Sequence, residues 1–118
     1  MHHHIDLGKT GEDLAAGWLT AKGFVILQRN WRYGRYEVDV IASRANILHI
    51  IEVKCRRSSS YGRPEESISR QKFQNVMQGA AGFLVKYPHH QRIQYDVMAI
   101  DIRRGARPEI ALFEDVYL

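Results

Sequence analysis

The chain has 118 residues, 45% of them apolar, which suits one small domain with a hydrophobic core and excludes a disordered tail. Its longest apolar runs last only a few residues, which excludes a membrane-spanning helix, and its single cysteine, Cys55, excludes an intrachain disulfide and suits a cytoplasmic protein. Lys and Arg total 17 against 13 Asp and Glu, a formal charge of +4, which permits a polyanionic partner without demanding one.

Met1-His2-His3-His4 reads as part of an expression tag and is set aside, leaving residues 5–118 as a single domain. No signal peptide, repeat or linker is visible. A helix is expected from about Leu7 to Lys22, with Leu14, Ala15, Trp18 and Leu19 on one face, Asp6 or Thr10 as cap, and Gly23 as the stop. Phe24 to Leu27 is a short strand. Tyr36 to Ser43 alternates, with Val38, Val40 and Ala42 on one face and Glu37, Asp39 and Ile41 on the other. Ile47 to Cys55 is apolar until Glu52 and reads as a buried central strand. Ser58 to Pro64 is loop-like. A second helix runs from Ser67 or Ser69 to Tyr87, with Phe73, Val76, Met77, Ala80, Phe83 and Leu84 on its apolar stripe, and Pro88 closes it. Ile93 to Ile102 and Glu109 to Phe113 complete an α/β pattern, αβββαβ plus a last strand. That order implies one mixed central sheet flanked by helices.

The second and third strands are close enough to form a hairpin turning at Ala45-Asn46. A symmetric turn there sets Asp39 opposite Glu52 and Glu37 opposite Lys54, all four on one face, with facing Cβ atoms roughly 4.5–5.5 Å apart. Two carboxylates so close need a raised pKa, a lysine or a bound cation. Lys54 supplies one charge. A hard divalent cation such as Mg²⁺ suits the remaining oxygens and can polarise a phosphodiester. The bland alternative is a solvated strand face held by weak ion pairs. Glu52 argues against it, because it interrupts an otherwise buried strand. No serine–histidine–aspartate set and no P-loop pattern competes.

Gly11-Glu12, Glu37-Val38-Asp39-Val40-Ile41-Ala42 and Ile51-Glu52-Val53-Lys54 with Arg56 behind it, joined by Tyr61 to Glu65 and Tyr95-Asp96-Val97, resemble the bacterial YraN-type family of uncharacterised proteins. That family is similar to archaeal Holliday-junction resolvases and belongs with the PD-(D/E)XK nuclease superfamily. The resemblance runs from about Gly8 to about Ile100. It implies a restriction-endonuclease-like αβββαβ core, Asp39, Glu52 and the Val53 carbonyl as ligands of Mg²⁺ or Mn²⁺, and Lys54 as the catalytic lysine. It also implies that Glu12 lies near the metal centre, and related resolvases act as homodimers. Tyr36 departs from the family, which usually has Gly there.

Two roles are open to Glu12: a third ligand, or an acid favoured by the helix dipole. Glu37 is expected to pair with Lys54 in support of the ligands. Arg35, Arg56, Arg57, Arg63 and Lys72 frame the acids with positive charge and suit phosphate contacts. Trp31, Tyr33 and Tyr36, interleaved with arginines, suit base stacking or the core. Cys55 and His49 fall on the face opposite Lys54 and Glu52 and read as packed, structural groups, and His89 and His90 are too isolated for a metal site. The expected activity is a metal-dependent endonuclease on nucleic acid, with DNA, branched DNA included, as the expected substrate. The alternatives are a non-catalytic nucleic-acid-binding module and a protein-interaction subunit using Ile110 to Phe113.

Overall fold

Helix α1, Leu7–Ala21, ends where Gly23 takes φ 91°, a backbone angle costly for any residue with a Cβ. The Phe24 N–H then donates to the Leu19 carbonyl at 3.0 Å. The computed structural model describes residues 7–57, 69–89, 92–103 and 105–116. Asp6 lies outside them, and Thr10 is inside the helix rather than at its cap.

Strand β1, Val25–Tyr33, is longer than the expected Phe24 to Leu27. A tight turn at Gly34, φ 60°, pairs Tyr33 with Tyr36 and draws the basic stretch from Arg29 onward into a strand. Being the sheet edge, β1 tolerates such polar residues. β2, Tyr36–Arg44, and β3, Ile47–Arg56, are joined through Ala45 and Asn46, both at positive φ (53° and 63°), the turn type that matches strand twist. Their register is the expected one, from Arg44 opposite Ile47 to Val40 opposite Ile51.

Helix α2, Arg70–Lys86, starts at Ser69, whose hydroxyl accepts from the Lys72 N–H at 3.0 Å. α2 is the crossover that lets β4, Ile93–Asp101, run parallel to β3. β5, Glu109–Phe113, lies antiparallel to β4. The result is an α/β fold, a mixed five-stranded sheet in the order β1-β2-β3-β4-β5, compatible with a restriction-endonuclease-like core.

Each helix covers one face. Val76, Ala80 and Phe83 of α2 pack on Val38, Ile41, Leu48, Ile50, Tyr95 and Val97. Ala15 and Leu19 of α1 pack on Val40, Ala42, Ile51, Met98 and Ile100. Full burial of an isoleucine such as Ile50 or Ile51 is worth roughly 1.5–3 kcal/mol, so β3 anchors both cores. Gly11 lets α1 lie close on β3, since a Cβ there would stand 2.9 Å from Cys55 Cβ. No described helix is long and apolar enough to cross a membrane.

The strict alternation expected for β2 fails at one residue. Val40 and Ala42 face α1 as a pair, but Val38 joins Ile41 on the α2 side. The break falls at Asp39, where Asn30 on the neighbouring strand takes φ 52°.

Candidate active site

β2 pairs with β3 only as far as Val40 and Ile51. Asp39 is the next residue. Its carboxylate takes over from the backbone ladder: Asp39 Oδ2 accepts from the Val53 N–H at 2.8 Å. Glu52, only 6% exposed, follows Ile51 on β3. Asp39 and Glu52 thus meet where two strands part, and both line a cleft of about 270 Å³ with Arg35, Tyr36, Lys72 and Asn75.

Burial lifts the Asp39 carboxyl to about 6, the Glu52 charge adds to that, and Glu12 adds less; the Val53 N–H and the Lys72 charge oppose it. Lys72, from the first turn of α2, places Nζ 2.7 Å from Glu52 Oε1, whereas Lys54 Nζ is 4.0 Å from the same oxygen. The two lysines also act on each other. Burial, then contact with Lys72, lowers the Lys54 pKa. Burial pulls Lys72 down too, but its hydrogen bonds to Glu52 and Lys54 outweigh that and leave it raised. Lys72 therefore keeps its proton at neutral pH, and Lys54 gives one up more readily than a surface lysine.

Glu12 is in the second turn of α1, past the stretch where the helix dipole is felt. It accepts from Asn30 Nδ2 at 3.2 Å, and its charge reaches Asp39. Glu37 departs from expectation. It pairs with Arg32 of β1 at 2.6 Å, not with Lys54, because β2 has left β3 by that point and belongs to the β1–β2 hairpin. Both partners are largely exposed, so the pair adds little stability. Glu37 still borders the cleft.

Of the basic frame, Arg35 reaches the cleft, with its guanidinium over the Tyr36 ring and donating to the Tyr36 hydroxyl at 3.2 Å. Arg56 pairs with Asp101 at 3.0 Å. Arg57 is exposed, and Arg63 lies outside the described residues, as do the Tyr61 to Glu65 segment and His90. Trp31 belongs to the core: Nε1 donates to the Gly79 carbonyl at 2.9 Å and the ring meets Phe83 edge-on. Cys55 packs toward α1, and burial pushes its thiol pKa up, which suits a packed thiol rather than a nucleophile.

Two groups receive no role from the sequence, although Tyr95-Asp96-Val97 is part of the family pattern. The Tyr95 hydroxyl is buried without a hydrogen-bond partner among the described residues, and burial, then the charges of Glu52 and Asp39, push its pKa up. Only the parallel register of β3 and β4, which no local spacing reveals, brings it there. The second is the partner of His49. His49 Nδ1 is 2.6 Å from Asp96 Oδ2, with both side chains buried. Glu114 joins them, so that one ligand atom from each of His49, Asp96 and Glu114 lies within 4.8 Å of the others, a spacing a metal ion can bridge. In this structure protein donors serve the group. Gln94 Nε2 donates to Asp96 Oδ1 at 2.9 Å and reaches Glu114 Oε1 at 3.3 Å, and Arg44 pairs with Glu114 at 3.1 Å.

The donor set at Asp39 and Glu52 fits a hard divalent cation. Both offer carboxylate oxygens of the kind such a cation takes, and burial with the Glu52 charge raises the Asp39 pKa by more than the Val53 N–H and Lys72 lower it.

A family model described as uncharacterised protein family UPF0102 matches residues 11–100. A UPF0102 protein of Rhodococcus opacus strain B4 is 40% identical over 118 residues, covering 99% of this chain and 100% of that protein. One from Flavobacterium psychrophilum is 36% identical over 117 residues, covering 99% and 98%. One from Prosthecochloris aestuarii is 42% identical over 96 residues, covering 80% and 76%. With the match spanning α1 to β4 and relatives alike over nearly full length, the chain belongs to the uncharacterised protein family UPF0102.

Proposed function

We propose that the chain is a metal-dependent endonuclease acting on nucleic-acid phosphodiesters, with DNA, and branched DNA in particular, as its substrate. One observation carries this reading: Asp39, with its carboxyl raised to about 6 by burial, and the buried Glu52 share one cleft, with Lys54 4.0 Å from Glu52. Buried acids with neither full pairing nor function are rare.

Asp39, Glu52 and the Val53 carbonyl would hold Mg²⁺ or Mn²⁺, and Glu12 would add negative charge that acts on Asp39. Such an ion supplies charge stabilisation at the phosphate and lowers the pKa of water. Lys54 orients the attacking water or stabilises the negative charge that grows on the phosphate. The Val53 N–H keeps Asp39 aimed into the cleft. Arg35, Arg57 and Lys72 offer the substrate backbone positive charge, which makes binding salt-dependent. A homodimer would bring two such clefts to two strands.

A second reading is a nucleic-acid-binding module without turnover. The Lys72–Glu52 ion pair favours it, since that pair partly neutralises the buried acid with protein groups alone. Cleavage of branched, nicked and linear DNA with Mg²⁺ or Mn²⁺ separates the two. The nuclease reading expects cleavage that Asp39→Ala and Lys54→Ala each reduce at least a hundredfold, in line with the contribution of acid–base and electrostatic groups, on the order of 10²–10⁴. Salt-dependent binding without any cleavage would leave only the second reading.

A further inference from the structure

Lys72 is oddly placed. It stands in the first turn of α2 after Arg70, with no acid in that turn, so the helix start carries charge of the sign its dipole disfavours. Its reason lies across the cleft, where its ammonium contacts one oxygen of Glu52 at 2.7 Å. Lys54 stands farther from that oxygen and is the more enclosed of the two, with 26% of its side chain exposed against 42% for Lys72. Lys54 is also fixed on a strand inside the sheet. Lys72 reaches Glu52 from a separate element, on a flexible four-carbon stem, so it is the cation that can leave.

We propose that Lys72 is the resident counter-ion of Glu52, occupying in the cation-free protein the place on Glu52 Oε1 that a divalent cation takes, and that cation binding releases it toward the substrate phosphate. The inference rests on the cation-site reading given above. Lys72 then has two positions with two tasks. Without a cation it offsets the charge of a buried carboxylate, whose desolvation would otherwise destabilise the fold. With one, it is a positioning residue for the phosphate. Cation affinity is correspondingly weakened, because the competent form, with Glu52 Oε1 uncovered, is a minor population.

The experiment is Mn²⁺ titration by calorimetry on the full chain, counting only binding that Glu52→Gln abolishes, together with thermal melting in chelator. Lys72→Met is expected to bind Mn²⁺ about tenfold more tightly than wild type, as removal of a competing state predicts, and to melt lower without cation. Lys72→Gln gives the same order if Lys72→Met does not fold. Lys54→Met, which removes the same charge without removing the short contact, gains clearly less. Equal or weaker Mn²⁺ affinity in both Lys72 variants, or an equal gain in Lys54→Met, overturns the inference and leaves the cation site standing. If no protein in the series shows Glu52-dependent Mn²⁺ binding, the inference and the proposed function both fall.

Discussion

Asp39 Oδ2 and the Val53 backbone N–H are joined at 2.8 Å, one residue beyond the point where β2 and β3 cease to pair. A side chain thus does there what a backbone carbonyl does elsewhere in the ladder. The bond fixes the carboxylate, satisfies an N–H at the strand fork, and holds the acid beside Glu52 despite repulsion. Most of what can be tested about the site follows from that placement.

Asp39 ties stability to pH. Its folded pKa, about 6, exceeds the ordinary 3.8, so the folded state binds this proton more tightly than the unfolded chain. The stabilisation it brings is complete below 3.8 and is lost as pH rises through about 6. Asp39→Asn removes the charge and keeps an acceptor for the Val53 N–H. Urea denaturation in chelator should show the variant more stable at pH 8 by about 1–3 kcal/mol, and no more stable at pH 3.5. A variant less stable than wild type at pH 8 would mean that the Asp39 charge is well compensated.

The His49–Asp96 pair is expected to hold the fold rather than serve the cleft. Its side chains are 2% and 0% exposed, on the α1 side of the sheet, and the Asp115 N–H donates to Asp96 Oδ1 at 3.0 Å, tying down the segment after β5. Asp96→Ala strands a buried histidine and should cost about 3–5 kcal/mol by chemical denaturation. Glu114→Ala, at the exposed end of the group, should leave Mn²⁺ affinity unchanged. Loss of the main Mn²⁺ site in Glu114→Ala would move the metal centre here.

Gly82 is expected to resist even alanine. A Cβ there would overlap the Tyr33 ring, so the ring that closes the β1–β2 hairpin over α2 must swing away. Gly82→Ala should cost about 1–3 kcal/mol. In the Tyr33→Ala background it should cost nearly nothing, the non-additivity expected of touching residues. Additive losses would show that the two do not meet.

Arg35 and Arg57 are both exposed, and Arg35 lines the cleft that holds the acids. Each replaced by alanine should lower the slope of log affinity against log salt for DNA by about 1, with melting temperature unchanged. A slope that stays the same in both would place the nucleic-acid surface elsewhere.

Much of the fold was legible because its signals are local. Leu14, Ala15, Trp18 and Leu19 mark α1, Ala45-Asn46 marks the hairpin, and the register that brings Asp39 to Glu52 follows from that turn. What was not legible depends on partners distant in sequence. β1 is longer than its apolar run because pairing with β2 carries Arg29 to Tyr33 along. Val38 changes face beside Asp39, opposite the point where Asn30 on the neighbouring strand takes positive φ. Glu37 finds Arg32 because β2 deserts β3, and strand parity alone carries no sign of that. Lys72 was expected to meet phosphate, and its contact with Glu52 needs the α2 crossover to be known.

Asp39 and Glu52 are proposed to hold the catalytic cation together. The most direct measurement is anomalous scattering at the manganese edge from crystals soaked in Mn²⁺ after removal of Met1 to His4. A peak coordinated by Asp39 and Glu52 carboxylate oxygens and the Val53 carbonyl is expected, with Lys72 moved off Glu52. A saturating soak with no density between those two carboxylates, or a peak only at His49, Asp96 and Glu114, would contradict it.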